Sequence, residues 1–155
     1  MLVNDLKKRV AHNVQWIRPD LKVGDEPGEI ERVARTFAPE DVPVFIERFY
    51  VRAENAREQE LTEEVWARLD NTDSYDIAPN DFAQIEEHIS HCNYGGNRTT
   101  RDWQYLKGKM ERGEELDMPV IAHIGDVYHL VSGNTRLMVA RALGIRPRVL
   151  LVEMG

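Results

Sequence analysis

Residues 116–155 carry the pattern that most limits what this chain can fold into. Pro119 to Ile124 is a short run of strand formers, Gly125-Asp126 is a turn dipeptide, and Val127 to Val131 resumes strand composition, so the two runs read as a β-hairpin. Ser132-Gly133 then turns into a helix over Asn134 to Leu143, with Leu137, Val139, Ala140 and Leu143 available for burial and Gly144 to end it. Pro147 to Val152 supplies a last strand, and its continuous apolar run suits a strand covered on both faces.

The segments upstream read mainly as helices. Leu2, Leu6, Val10, Val14 and Ile17 recur at helical spacing and predict an amphipathic helix ending before Pro19. Arg18 to Gly28 holds two Pro and two Gly and reads as a loop, with Pro27 opening a second helix over Gly28 to Phe37. Val42, Phe45, Ile46, Phe49 and Tyr50 trace one helical face; Val44 to Val51 is also rich in strand formers, and the periodicity decides for helix. Thr62 is placed to cap a helix with Leu61, Val65, Trp66 and Leu69 as its stripe, ending at Asn71. A short helix is expected over Asp81 to Ile89. After the Gly95-Gly96-Asn97 break, Thr99 or Thr100 caps another that carries Trp103, Leu106 and Met110 and closes at Gly113.

Size and charge narrow the function classes. A chain of 155 residues with 42% hydrophobic residues is expected to form a single domain, with residues 1–100 as a mainly helical part and 101–155 as the strand-bearing core. No run approaches the roughly 20 apolar residues of a membrane-spanning helix, and the N-terminus lacks the long apolar core of a secretory signal. The expected compartment is therefore the cytoplasm. Cys92 is the only cysteine, which excludes an internal disulfide framework and a multi-thiolate zinc site. The formal net charge of −7, from 20 Lys+Arg against 27 Asp+Glu, disfavours general attraction to duplex DNA.

The junction at Ser132-Gly133 is the strongest chemical signal. A glycine between strand and helix permits a tight turn, and the first amides of the helix then point outward without intrahelical partners. Ser132, Asn134 and Thr135 add short polar side chains, Arg136 adds a fixed charge, and the positive end of the helix dipole reinforces both. Residues of these types also serve as an ordinary helix cap, with Arg136 paired to a surface acid, so spacing leaves both readings open.

Met118-Pro119-Val120-Ile121, then Tyr128-His129-Leu130-Val131-Ser132-Gly133-Asn134-Thr135-Arg136 running on through Leu143-Gly144, then Pro147-Arg148-Val149-Leu150-Leu151-Val152, together resemble the core of the ParB/sulfiredoxin superfamily. Leu106 to Gly113 resembles the helix that precedes that core. The resemblance covers about a quarter of the chain and implies an α+β fold: a small mixed sheet of ParB/sulfiredoxin type with a largely helical N-terminal part. It also implies nucleotide chemistry, since members include a CTP-hydrolysing partition protein, ATP-dependent sulfiredoxin and a free-serine kinase. All place a Gly-x-x-Arg turn near phosphate, a role that maps here onto Gly133, Asn134, Thr135 and Arg136. Asn134 stands where sulfiredoxins carry their reactive cysteine, so sulfinic-acid reduction is not expected. Partition proteins continue into DNA-binding and dimerisation regions, so a centromere-binding role is not expected either.

The resemblance thus implies a nucleotide-binding protein, a phosphotransferase (kinase) or nucleotide hydrolase, taking ATP, ADP or CTP with Mg²⁺ and an acceptor that the sequence does not name. The alternatives are a non-catalytic regulatory or DNA-associated module of the same fold and a ParB-like nuclease. Phosphoryl transfer needs carboxylates for metal or acceptor. Asp73 and Asp76, in the polar run Asp70 to Asp76, are the candidates, beside the alternative of a solvated Asx-rich turn. Arg101, with Arg98, follows the Gly95-Gly96 break, where a loop guanidinium could reach a phosphate or simply face solvent. His88, His91 and Cys92 at helical spacing form a weak metal signal without a fourth ligand, and His123 and His129 fall in the hairpin, where one could reach the anion site as an acid or base although strand histidines are more often structural.

Overall fold

A computed structural model describes residues 13–91 and 102–155. Among these the chain is α+β, with six α-helices and seven strands. The predicted amphipathic helix is corrected at its described end: Gln15–Ile17 is a strand, β1, paired in parallel with β4 (Glu115–Asp117) through Trp16 opposite Leu116. Backbone pairing overrides the helical spacing of Val14 and Ile17; Val14 is buried while Ile17 is 40% exposed. Leu2, Leu6 and Val10 lie outside the described residues.

Helix α1 spans Glu26–Phe37, starting slightly before the expected Gly28, with Pro27 in its first turn where a missing N–H costs nothing. Helix α2, Val42–Glu54, settles the helix-or-strand ambiguity: Phe45, Phe49 and Ala53 are buried at four-residue intervals while Val44 and Val51 face out. Besides β1 and β4, which the sequence did not reveal as strands, two more were not legible in it. Strand β2, Arg57–Glu60, is polar throughout and pairs antiparallel with the last strand. Helix α3 is Glu63–Arg68, capped by Thr62 as expected through Val65 N at 3.2 Å, and it stops at Arg68 rather than Asn71. Leu69–Asp70 then forms β3, parallel to β6 (Val127–Ser132).

A single 3₁₀ turn, Ser74–Asp76, leads to α4, Phe82–His91. Helix α5, Trp103–Glu111, is capped by the Asp102 carboxylate, which accepts from Tyr105 N at 3.1 Å; the expected caps Thr99 and Thr100 lie outside the described residues.

The C-terminal unit follows the sequence reading closely. Strands β5 (Val120–Ile124) and β6 (Val127–Ser132) form the hairpin around Gly125, α6 is Asn134–Leu143, and β7 is Arg148–Glu153. The main sheet has the order β2-β7-β5-β6-β3, with β7 parallel to β5. Strand β7 is thus interior, and its alternate residues feed two cores. Leu150 and Val152 pack with Ile30, Val33 and Phe49 of α1 and α2 on one face. Val149 and Leu151 pack with Trp66, Ile85, Met110 and Leu137 on the other. Each fully buried side chain of this size contributes about 1.5–3 kcal/mol, which is why a four-residue apolar run can occupy a covered strand. No helix among the described residues is long and apolar enough to cross a membrane.

Candidate functional site

The strand-to-helix turn is built around Gly133. Its φ of 105° lies in the left-handed region, and a Cβ there would stand 2.9 Å from Pro119 Cα and 2.8 Å from Pro119 Cβ, so neither the dihedral nor the space admits a side chain. Gly133 is the N-cap of α6, and no side chain caps the helix there. The ordinary-cap alternative for Ser132 and Asn134 therefore does not describe this turn: Ser132 Oγ donates to Glu26 at 2.8 Å, and Asn134 Oδ1 accepts from Thr72 Oγ at 2.5 Å.

Ser132, Gly133, Asn134, Thr135 and Arg136 all line one cleft of about 1300 Å³. Its other wall is the N-terminal half of α1 with its cap, Asp25, Glu26, Gly28, Glu29 and Arg32, and its rim includes Asn71, Thr72, Asp73 and His88. Two helix N-termini thus border one space, and α1 brings acids to its own first turn, where they complement the dipole.

Arg136 is half-buried. Its Nη1 donates to the Asp117 carbonyl at 2.5 Å, and it also borders a smaller hollow of about 340 Å³ shared with Leu106, Lys109 and Asp117. Burial lowers its pKa, against the opposing pull of Glu26 and Asp117, but a guanidinium stays charged in proteins. Glu26 shows the reverse balance. Burial raises its pKa above the ordinary carboxylate value, outweighing the Ser132 hydrogen bond and the Arg136 charge that lower it, while Asp117 and Glu29 add to the rise.

The polar run Asp70 to Asp76 acts as a brace for the turn. Trp66 Nε1, fully buried, donates to Ser74 Oγ at 2.9 Å; the Ser74 and Thr72 hydroxyls are 2.9 Å apart; and Thr72 meets Asn134. Each hydroxyl has one proton to give, so the chain of donation runs Trp66, Ser74, Thr72, Asn134. Asn71, at φ 63°, donates from Nδ2 to the Leu130 carbonyl at 3.1 Å. Asp73 is exposed on the cleft, with His88 Nδ1 4.0 Å from its carboxylate. Asp76 is exposed in the 3₁₀ turn and is not among the cleft residues, so of the two candidate aspartates the fold brings only Asp73 to the anion turn. Arg101, Arg98 and Cys92 lie outside the described residues.

Sequence reasoning missed Glu26, Arg32 and the pairing of His129. His129 is 5% exposed, with Nδ1 2.5 Å from Asp70 Oδ1 and Nε2 3.1 Å from Arg32 Nη1. Among the described residues no group of three His, Cys, Asp or Glu side chains converges to hold a metal. Comparison with protein-family models, with curated proteins and with solved structures finds no match for the chain.

Proposed function

We propose that this chain is a ParB/sulfiredoxin-like nucleotide-binding protein that transfers or hydrolyses a terminal phosphoryl group. The observation that carries the reading is the Gly133 turn: uncapped helix amides and a fixed guanidinium, Arg136, border a cleft larger than the roughly 300–1,000 Å³ that a small ligand needs. The surplus leaves room for a second substrate beside the nucleotide.

In this reading the amides of Asn134, Thr135 and Arg136 hold a phosphate and stabilise charge that builds on it during transfer. Glu26, fixed by Ser132 at the edge of the turn, is the acceptor's base. Burial shifts its proton affinity upward, the direction that favours a carboxylate as general base. The acceptor hydroxyl, or water, gives its proton to the Glu26 carboxylate as its oxygen bonds to phosphorus and the bond to the leaving phosphate oxygen breaks. Mg²⁺ is normally held by one or two carboxylates together with substrate phosphates, where it neutralises phosphate charge. Asp25 and Glu29, on the same helical turn as Glu26, are the cleft acids that fit this demand, with Asp73 on the opposite rim.

The test is phosphate release or acceptor labelling from γ-labelled ATP and CTP with Mg²⁺. Turnover that falls at least about 100-fold in Glu26→Gln, with nucleotide binding retained, supports the reading. Binding without turnover would favour the non-catalytic regulatory module of the same fold.

A further inference from the structure

Arg32 lies a turn and a half into α1 and lines the cleft, yet it is anchored from behind. Its Nη2 donates to the Leu130 and Val131 carbonyls at 3.2 Å each, and its Nη1 meets His129 Nε2 at 3.1 Å. Arginine can only donate, so Nε2 is the acceptor and the imidazole proton sits on Nδ1, facing Asp70 at 2.5 Å. Asp70, His129 and Arg32 therefore form a relay reaching from β3 through β6 to α1. Three of the five guanidinium N–H groups are engaged in it, and two remain. The nearest acid, Glu29 at 3.7 Å, forms an exposed pair of the kind that holds a side chain only weakly.

We propose that Arg32 is a second anion-contacting residue, held in place by the Asp70–His129 relay, and that the cleft selects ligands with two linked phosphate groups: one on the α6 turn and one on Arg32. The proposal rests on the nucleotide reading above and deepens it. Its geometric basis is the bond to Val131, two residues before Gly133. Arg32 and the α6 turn line the same cleft, so two anionic groups carried on one ligand can meet both.

The relay also gives the site a pH dependence. Protonation of His129 places a hydrogen on Nε2, where Arg32 donates, and sets two cations face to face. The charged groups around the ring are Asp70 from β3 and Arg32, with Glu29 beside it, from α1. Burial holds the imidazole pKa below its ordinary value, with Asp70 opposing and Arg32 adding to the shift, so the relay is intact at neutral pH and breaks in acid.

Calorimetry with AMP, ADP, inorganic phosphate and pyrophosphate tests this on wild type, Arg32→Ala, Arg32→Lys and His129→Gln, with circular dichroism to confirm folding. The expected result is ADP binding about 10-fold or more tighter than AMP, a preference that Arg32→Ala brings close to unity. Arg32→Lys restores part of it. His129→Gln keeps an acceptor for Arg32 and flattens the acid-side loss of ADP affinity. An unchanged ADP to AMP ratio in folded Arg32→Ala overturns the proposal. If neither nucleotide binds but pyrophosphate does, in an Arg32-dependent way, the two-anion site stands and the nucleotide reading fails. If pyrophosphate binds no better than phosphate, the two-anion site fails whatever the nucleotides do.

Discussion

The Glu26 carboxylate accepts a hydrogen bond from Ser132 Oγ at 2.8 Å, joining the first turn of α1 to the strand end that precedes α6 across 106 residues of sequence. Both residues line the cleft, and the contact puts a half-buried acid beside the turn where α6 begins on a left-handed glycine.

Glu26 should make stability depend on pH in a definite direction. Burial raises its folded pKa above the unfolded value of 4.5, so between those values the folded state binds the proton more readily and stability rises as pH falls. Glu26→Gln keeps an acceptor for Ser132 and carries no charge. It should raise Tm above that window by about 2–4 °C at most, since solvent screening limits the gain to under about 1 kcal/mol. The gain should shrink as pH approaches 4.5. Melting curves across pH check this, and a lower Tm in Glu26→Gln at neutral pH would contradict it.

Gly133→Ala should damage both fold and site. The substituted Cβ meets Pro119 backbone at 2.9 Å and the residue must keep a φ of 105°, a combination that costs about 1–3 kcal/mol. Denaturant unfolding measures it, and a change below about 0.5 kcal/mol would show that the turn relaxes without strain.

Much of this was readable in the sequence, and the failures have physical causes. The hairpin, α6 and β7 were legible because Gly125, Gly133 and Gly144 all adopt positive φ, as punctuation of that kind implies, and because β7 is covered on both faces. Strands β2 and β3 were not: Arg57–Glu60 has no apolar alternation, and Leu69–Asp70 exists only through its bonds to β6. In the site, the anion turn was legible as a local motif. Arg32 and His129 are 97 residues apart and Glu26 and Ser132 are 106 apart, so no spacing rule connects them. Asp76 looked equivalent to Asp73 in the polar run, but the 3₁₀ turn at Ser74–Asp76 separates them.

Ser74→Ala should remove the brace behind the turn. It leaves the buried Trp66 Nε1–H without its partner, at a cost of about 1–3 kcal/mol, and it frees Thr72 from one side. Thermal or urea unfolding reads the first effect. Ser74→Thr, which retains the hydroxyl, is expected to recover part of the loss, and equal destabilisation by Ala and Thr would point to packing instead.

The most direct measurement is an amide NMR titration with ATP and CTP in the presence of Mg²⁺. The account predicts that the backbone amides of Asn134, Thr135 and Arg136 show the largest shifts, and that Arg136→Ala, checked for folding, weakens or abolishes them. Saturating nucleotide that leaves these three amides unmoved, or moves only residues remote from the Gly133 turn, would contradict it.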